Sequence, residues 1–407
     1  MTIFAPSLSP IETAPTAQLL DTASLYLHVP FCHTRCYYCD FNTYAGLLPL
    51  REPYARALIA EIALAGEFAR RADGQQRRSR TIFFGGGTPS LLSGPQVQRI
   101  LAACRAHFAV DEGAEVTLEA NPGTLGEAQL AGLRAAGINR LSMGAQSFDA
   151  ALLQALGRIH TPEQIAQAVA YARAVGFASI NLDFMFGLPG QTMRHWRETL
   201  DQALALLPEH LSLYSLIIEE GTPFYSWTEE GRITPADEDL CADMYEYAQE
   251  LLATAGYEQY EISNWALPGH QCQHNLTYWL NLPYLGLGAG AASSFGGRRF
   301  TNTRDPLDYI RQVKAGQRPE AESETVEQEQ AMSETAFLAL RTIRGLHLPT
   351  FEQRFAMPFA SFVGDRLLRV EDAGLMERSG DWLRLSNRGL LLGNEVFLRL
   401  LPGDSSA

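Results

Sequence analysis

Short runs of aliphatic, aromatic and β-branched residues recur through the first half of the chain, and the gaps between them are long enough for helices. The strand-like runs are Leu25 to Val29, Thr81 to Phe84, Glu115 to Glu119, Arg140 to Met143, Ile180 to Phe186 and Leu211 to Ile218. The helix-like segments between them include Tyr54 to Phe68, Gln96 to Phe108, Pro162 to Val175 and Trp196 to Leu206. Strands that alternate with helices are typical of a parallel sheet covered by helices. Six such units predict an α/β fold, an open and partial (β/α)6 barrel of the TIM-like kind.

The pattern changes at both ends of this region and divides the chain into predicted parts. A tail, 1–22, is rich in Pro, Thr, Ser and Ala and is predicted to be disordered. The barrel is predicted for 23–255 and a region that closes it for 256–316. A polar, acidic linker, 317–329, is predicted to follow. Helical segments and a final strand pair predict a smaller, winged-helix-like C-terminal domain over 330–400.

The most informative polar pattern is Cys32-His-Thr-Arg-Cys36-Tyr-Tyr-Cys39, with three cysteines in eight residues. A structural zinc site needs four protein ligands, and an ordinary iron-sulfur cluster needs four thiolates. A cluster held by three thiolates leaves one iron open to a ligand that is not protein, so ligand binding or catalysis is the leading hypothesis. Two alternatives stay open: buried small hydrophobic residues on a helix, and a zinc site completed by His33 or His28.

Polar residues and glycines follow the ends of the predicted strands. They occur in Gly85-Gly86-Gly87-Thr88-Pro89 and around Glu119, Gln146, Arg158 and Asp183. Each feature alone is more typical of a loop or a surface, but the carboxyl ends of parallel strands share one rim. Carboxylates accept hydrogen bonds from hydroxyl and ammonium groups, and arginine pairs with carboxylates. The rim therefore predicts a pocket for a zwitterionic, hydroxyl-bearing ligand, such as an amino acid joined to a nucleoside.

Together, the cysteine motif and the glycine motif resemble the radical S-adenosylmethionine (SAM) superfamily. The segments Tyr26-Leu-His-Val-Pro-Phe-Cys32, Leu141-Ser-Met-Gly-Ala-Gln146 and Asp183-Phe-Met-Phe-Gly-Leu-Pro are similar to the branch that contains oxygen-independent coproporphyrinogen III oxidases and HemW-type heme chaperones. The resemblance implies a [4Fe-4S] cluster on the three cysteines, with SAM on the fourth iron and its cleavage to a 5′-deoxyadenosyl radical. It also implies an electron donor of the flavodoxin or ferredoxin type.

The same resemblance implies which side chains contact the cofactors. Tyr38 is expected near the adenine of SAM. The full set expected to contact SAM is Tyr26, Tyr38, Gly86, Gly87, Thr88, Glu119, Gln146, Arg158 and Asp183, and the cluster ligands are Cys32, Cys36 and Cys39.

Two departures within the branch favour the chaperone type over the oxidase. The oxidase typically carries a fourth cysteine two residues after the third, whereas here Cys39 is followed by Asp40-Phe41-Asn42. The oxidase also has a longer segment before the motif, and here thirty-one residues precede Cys32. The runner-up function is oxidative decarboxylation of two propionates of coproporphyrinogen III, and a zinc-stabilised binding protein is a minor alternative.

A third feature concerns heme. His274-Asn-Leu-Thr-Tyr278-Trp279 resembles the H-N-x-x-Y-W segment that is associated with heme binding in the chaperones. Imidazole is a common axial ligand of heme iron, so His274 is predicted to bind heme, with Cys272 as a second possible ligand. The resemblance implies transfer of heme to membrane hemoproteins such as respiratory cytochromes. The alternative is that His274 caps a turn and that the aromatic residues belong to the core.

Charge and hydropathy limit the partners and the location. The formal net charge of −14 argues against nucleic acid, so the C-terminal domain is expected to be a lid or partner surface. No apolar run approaches about twenty residues and no secretory signal is present, so we expect a cytoplasmic protein, with a peripheral position at the inner face of the membrane as the alternative.

A local basic patch consists of Arg70, Arg71, Arg77, Arg78 and Arg80. It is predicted to be either a solvated loop or a docking patch for an acidic electron donor.

Overall fold

Six parallel strands form the centre of the fold, and in this computed structural model the described residues are 16–400. Each strand pairs with the next one along the chain. They are β1 (Ser24–Val29), β2 (Arg78–Gly86), β3 (Ala109–Ala120), β4 (Arg140–Gln146), β5 (Ile180–Phe186) and β6 (His210–Ser215). The predicted parallel α/β core is confirmed.

Helices cover the outer face of these strands, and several begin at residues that cap their free N–H groups. Ser93 and Thr161 form capping boxes with a glutamine three residues later. The helices of this region are α1 (Thr16–Leu20), α2 (Arg51–Phe68), α3 (Gly94–His107), α4 (Glu127–Ala136), α5 (Ala150–Ala155), α6 (Pro162–Ala174), α7 (Met193–Ala205), α8 (Pro223–Glu229) and α9 (Glu238–Thr254). None of the helices within 16–400 has both the length and the apolar character needed to cross a membrane.

Further strands, most of them paired antiparallel, extend both edges of the parallel sheet, and within residues 16–400 the two outermost strands do not pair with each other, so the barrel is open. One edge carries β7 (Glu258–Glu261) and β8 (Asn264–Ala266), and the other carries β9 (Tyr284–Leu287), β10 (Ala292–Phe295), β11 (Arg298–Asn302) and β12 (Glu320–Thr325). β9 pairs with β1 in parallel. Between the two edge groups, helix α10 (Gln273–Trp279) lies against β2, and α11 (Pro306–Lys314) packs on α2.

Two segments that were predicted to be a linker and a disordered tail each contain an ordered element. The expected linker contains β12, an edge strand with mostly exposed side chains whose backbone bonds to β11, so ladder pairing overrides its polar composition. The expected disordered tail contains α1, and Leu19 is buried in a small cluster with Tyr260, Ala266, Leu276 and Leu282. Leu20 packs against the same cluster, and Asp21 pairs with Arg71 and Arg77, so several contacts hold this turn on the barrel. The rest of the tail prediction, 1–15, lies outside the described residues.

The C-terminal segment has its own apolar core, and it contacts the barrel region through hydrogen bonds, the Arg299–Glu334 ion pair and the side chain of Ile262. It contains α12 (Gln328–Leu340), β13 (Leu346–His347), α13 (Leu348–Phe355), α14 (Phe359–Val363), α15 (Asp365–Asp372), β14 (Met376–Ser379), β15 (Trp382–Leu385), α16 (Asn387–Leu391) and α17 (Gly393–Leu400). Helices thus precede a small antiparallel hairpin. Ile343 N–H donates to Tyr260 O at 3.1 Å, and Asn281 Nδ2 donates to Thr335 Oγ1 at 2.9 Å.

The barrel strands alternate between an apolar outer face and a polar inner face. In β4, Leu141 and Met143 belong to the core under the helices, whereas Arg140, Ser142 and Gly144 line the interior cavity. Successive side chains of a strand point to opposite faces, so this alternation follows from the pleat. The interior therefore offers polar groups to a ligand along much of its depth.

A buried carboxylate, Glu61 of α2, ties that helix to the antiparallel extension. It accepts hydrogen bonds from Gly288 N–H (2.7 Å), Asn302 Nδ2 (2.6 Å) and Tyr309 Oη (2.6 Å). Burial raises the pKa of Glu61 to about 7, although these donors oppose the rise. The three bonds hold β9, β11 and α11 against α2.

We expect Glu61→Ala to lower the free energy of unfolding by on the order of 3 kcal/mol, because it leaves three buried donors without an acceptor. Urea unfolding followed by circular dichroism measures the change. Glu67→Ala on the same helix is the matched control, since Glu67 is exposed and forms its salt bridge with the exposed Arg70. Equal midpoints for the two variants would contradict the role of Glu61.

Candidate functional site

The carboxyl ends of the parallel strands surround a cavity of about 420 Å³, which we call the main cavity. Ten of the thirteen side chains that the sequence singles out line it, and these ten come from different strand ends. They are Cys32, Cys36, Tyr38, Cys39, Gly86, Gly87, Glu119, Gln146, Arg158 and Asp183. Tyr26, Thr88 and His274 lie outside this lining. The fold thus gathers most of the predicted site at one place.

The three cysteines follow β1 in a loop, and each sulfur lies near a hydrogen-bonding side chain. Thr88 Oγ1 lies 3.7 Å from Cys32 Sγ, Arg158 Nη1 lies 3.6 Å from Cys36 Sγ, and Thr43 Oγ1 lies 3.9 Å from Cys39 Sγ. Burial raises the pKa of the Cys32 and Cys39 thiols. Donors to sulfur stabilise thiolates and tune the potential of a cluster bound to them.

The donor geometry does not support the zinc alternative. Among residues 16–400, no three His, Cys, Asp or Glu side chains converge as they would around a single metal ion. Zinc holds each sulfur at about 2.3 Å, which requires such convergence, whereas a cubane spreads its thiolate ligands over several metal atoms. Three thiols around one cavity fit the larger group.

The glycine motif brings backbone close to the cysteine loop. A Cβ atom on Gly87 would lie 2.7 Å from Phe31 O, and Gly86 adopts a φ of +113°. Thr88 is buried and does not face the cavity, since its hydroxyl lies between Cys32 Sγ and the Asn121 amide that donates to it at 2.9 Å. Thr88 is therefore a positioning residue for the cysteine loop.

Two carboxyl groups, Glu119 and Asp183, face each other across the main cavity. Burial raises the pKa of Glu119 to about 8, and the charge of Asp183 adds to the rise. Burial also raises the pKa of Asp183 to about 6, opposed by hydrogen bonds from Asn181, Ser212 and Ser142. Glu119 accepts Gly86 N–H at 3.0 Å, which leaves oxygen capacity for a hydroxyl or ammonium group of a ligand.

The end of β4 is irregular at Gln146, and Arg158 forms a hydrogen bond to the same segment. Gln146 has a left-handed φ of 66°, and the register of β4 against β5 shifts between Gly144 and Gln146. Such bulges re-aim side chains and often occur beside functional sites. Arg158 Nη2 donates to Gly144 O at 2.5 Å and to Asn121 Oδ1, so one guanidinium joins this rim to the cysteine loop.

The two predicted tyrosines lie on different sides of the rim. Tyr38 lines the main cavity, and its ring lies 6.4 Å from that of Phe224. Tyr26 instead lines a neighbouring polar cavity of about 510 Å³ and donates to or accepts from His28 Nδ1 at 3.1 Å. Gly86 and Glu119 line both cavities, so Tyr26 is adjacent to the rim without reaching the cysteines.

His274 lies beneath the main cavity, and its geometry differs from the predicted axial-ligand role. The side chain is 1 % exposed. Its Nδ1 is hydrogen-bonded to Thr81 Oγ1 at 2.8 Å and its Nε2 to Tyr278 Oη at 2.9 Å. Burial lowers the pKa of His274 to about 3. Both ring nitrogens are therefore occupied, and the ring is stacked on Phe83 with centroids 5.0 Å apart.

Helix α10, which carries His274, closes the amino-terminal end of the barrel. Glu115, at the inner side of β3, accepts the N–H groups of Gln273 (3.1 Å) and His274 (2.9 Å) at the start of the helix. Cys272, the second possible heme ligand, is buried and its Sγ lies 3.5 Å from the same carboxylate. The H-N-x-x-Y-W segment thus forms the floor of the barrel.

Sequence reasoning missed a set of polar side chains on the inner strand faces. His210 bonds Asn181 Oδ1 at 2.7 Å, and Asn181 Nδ2 donates to Asp183 Oδ1 at 2.7 Å. Alternating polar and apolar positions in Asn181-Leu-Asp183 and His210-Leu-Ser212 were the signal that could have found them. The missed lining residues are Thr117, Asn121, Arg140, Ser142, Asn181, His210, Ser212 and Tyr214.

The basic patch lies at the start of β2, at the opposite end of the barrel from the cysteines. Most of its charge is paired with acidic side chains, which supports the solvated-loop interpretation. The pairs are Arg70–Glu67, Arg71–Asp21, Arg77–Asp21 and Arg78–Asp111.

Comparison with known proteins agrees with this geometry. The chain matches the radical SAM superfamily over residues 26–203 and the HemN C-terminal domain over residues 326–392. The solved structure of coproporphyrinogen III oxidase (HemN) from Escherichia coli, a radical SAM enzyme, superposes with a TM-score of 0.81 at 24% identity, covering 94% of this chain and 91% of that one. This likeness confirms the fold.

Curated relatives carry the name heme chaperone HemW. The protein from Lactococcus lactis is 36% identical over 94% of this chain and 98% of its own length. The Bacillus subtilis protein is 38% identical over 92% and 98%, and the Escherichia coli protein is 43% identical over 72% and 76%. Because such identity extends over nearly the full length of two of these relatives, the chain belongs to the HemW heme chaperone family of the radical SAM superfamily.

Proposed function

We propose that the chain is a heme chaperone that binds heme and transfers it to membrane hemoproteins such as respiratory cytochromes. Its radical SAM domain implies a [4Fe-4S] cluster and SAM, and the residues fit both groups. Cys32, Cys36 and Cys39 would hold the cluster, which supplies an electron to SAM when a low-potential donor of the flavodoxin or ferredoxin type is present. Glu119, Asp183 and the glycine backbone would orient SAM.

The observation that carries the proposal is an exposed apolar mouth on the main cavity. Phe41, Ile217 and Tyr214 line it, yet their side chains are 64%, 69% and 40% exposed. Large apolar side chains grouped at a cavity mouth usually mark a binding surface. A porphyrin is a flat apolar macrocycle, and aromatic side chains offer a matching surface. We infer that heme docks at this mouth, beside the cysteine loop.

Oxygen-independent coproporphyrinogen III oxidation is the second candidate. It is favoured only by the fold shared with the oxidase, and fold alone does not fix a reaction. Asp40 occupies the exposed position directly after Cys39, where the oxidase pattern begins to differ. The curated relatives described above carry the chaperone name, which favours heme transfer.

We propose that this transfer occurs at the cytoplasmic face of the membrane, with the chain in a peripheral position.

Reconstitution under anaerobic conditions separates the two functions. We expect the wild-type chain to take up iron and sulfide, to change its EPR spectrum on addition of SAM, to bind heme, and to leave coproporphyrinogen III unconsumed. Cys36→Ser should abolish most cluster uptake, because a thiolate ligand is lost. Cys241→Ser, which lies outside the loop, is the control. Steady formation of protoporphyrinogen would refute the chaperone proposal.

Substitution at the mouth tests where heme docks. We expect Phe41→Ser combined with Ile217→Ser to weaken heme binding by roughly 100-fold or more, since each side chain that heme covers contributes about 1.5–3 kcal/mol. Titration followed by the Soret absorbance measures the affinity. Leu368→Ser in the C-terminal domain is the matched control, because Leu368 is 58% exposed and remote from the cavity. Unchanged affinity in the double variant would place heme elsewhere.

His274→Ala distinguishes an axial heme ligand from a residue that only stabilises the closed amino-terminal end of the barrel. We expect this variant to melt at a lower temperature, because two buried hydrogen bonds and the stack on Phe83 are lost, and to keep the heme spectrum of the wild type. Tyr278→Phe removes only one of the two bonds and should give a smaller shift. Loss of the heme spectrum in folded His274→Ala would restore the ligand role.

A further inference from the structure

The main cavity continues past the predicted SAM residues toward the amino-terminal ends of the strands. At this inner end it is lined by Arg140, Thr117, His210, Cys272 and Asn275. Arg140 lies four residues before Gly144 on β4, which places the inner end about 13 Å along the strand from the rim. SAM bound at the rim would leave this inner chamber as a separate space below it.

Arg140 is a buried charge with half of its guanidinium unused. The residue is 4% exposed, and within residues 16–400 its side chain donates only through Nη1, to Ser179 Oγ (2.9 Å) and His270 O (3.0 Å). Its Nε and Nη2 make no hydrogen bond to residues 16–400, and no carboxylate in that range lies within salt-bridge distance of it. Burial acts to lower the pKa of Arg140, but negative groups around it, among them Glu115 and Asp183, raise that pKa overall. A buried cation without a direct ion pair is costly, and the free Nε–Nη2 edge is the one that binds carboxylates in a bidentate manner.

Two further donors at the inner end have no partner in the described chain. Thr117 is fully buried on β3, and its Oγ1 has no hydrogen-bond partner there. Asn275 lines the same chamber from α10, and its side-chain amide makes no hydrogen bond to the described residues. Buried polar side chains are almost always paired, so the unpaired hydroxyl of Thr117, which lies opposite Arg140 in the sheet, indicates a ligand. Asn275 is half-buried and adds a second available donor at the wall of the chamber.

The other polar groups of the chamber are already occupied. His210 uses both ring nitrogens, on Asn181 Oδ1 (2.7 Å) and Tyr260 Oη (2.8 Å). Glu115, the nearest carboxylate below, accepts the N–H groups at the start of α10 and does not pair with Arg140. The free groups are therefore a cation and two neutral polar side chains.

We propose that the inner chamber binds a carboxylate, held by the Nε–Nη2 edge of Arg140 and by donors from Thr117 and Asn275. The carboxylate belongs either to a short free acid or to a propionate arm of a tetrapyrrole that reaches in from the mouth. The free-acid form is independent of the heme proposal, and the propionate form rests on it.

The test compares the full-length wild type with Arg140→Gln and Thr117→Val. Thr117→Val is chosen because its hydroxyl has no protein partner, so the variant is expected to fold even if Arg140→Gln does not. Arg56→Gln, on the exposed face of α2, is the control. The probes are succinate and propionate in thermal-shift titrations, and heme against heme dimethyl ester in absorbance titrations.

A free-acid ligand predicts that succinate or propionate raises the melting temperature of wild type and Arg56→Gln, and that either variant at the chamber weakens this effect about 10-fold. A propionate arm predicts that wild type binds heme about 10-fold more tightly than the dimethyl ester and that the variants lose the preference. The proposal is overturned if neither acid raises the melting temperature and the dimethyl ester binds with the same affinity as heme. It is also overturned if the acid-induced shift and the preference for heme both persist in Thr117→Val and in folded Arg140→Gln.

Discussion

The site depends on one geometric constraint, the parallel alignment of the six central strands. Because parallel strands end at the same edge, residues far apart in the chain meet around one cavity. The cysteine loop after β1, the glycines after β2 and the carboxyl groups of Glu119 and Asp183 are neighbours for this reason. Arg158 then joins the rim to the loop through Gly144 O and Cys36 Sγ.

The inner face of the barrel is polar where many barrels are filled with aliphatic layers. A chain of hydrogen bonds runs from Asp183 through Asn181 and His210 to Tyr260. Connected networks of this kind fix side-chain orientation in a medium of low dielectric constant. The rim carboxyl groups are thus supported from below, and the space beneath them stays open to polar ligands.

The floor of the barrel gives the H-N-x-x-Y-W segment a structural explanation. His274 fills the gap between Thr81 and Tyr278, and Glu115 caps the helix that carries it. Within this motif the histidine thus supports the fold, whereas Asn275 lines the inner chamber. The apolar groups that suit a porphyrin are at the opposite end, at Phe41 and Ile217.

The sequence by itself determined the α/β order of elements, the three-cysteine loop, and most of the rim, because periodicity and local motifs are properties of short segments. It could not reveal that Arg140 and Thr117 share a chamber, because in the sequence each is an ordinary strand residue and they become neighbours only when β3 and β4 pair. It also did not predict the edge strand Glu320–Thr325, where pairing with a distant strand outweighs local composition. Nor did it show that both ring nitrogens of His274 are hydrogen-bonded within the protein. Which polar groups are buried, and which of them lack partners, was decided only by the tertiary structure, because both properties depend on contacts between segments that are remote in the chain.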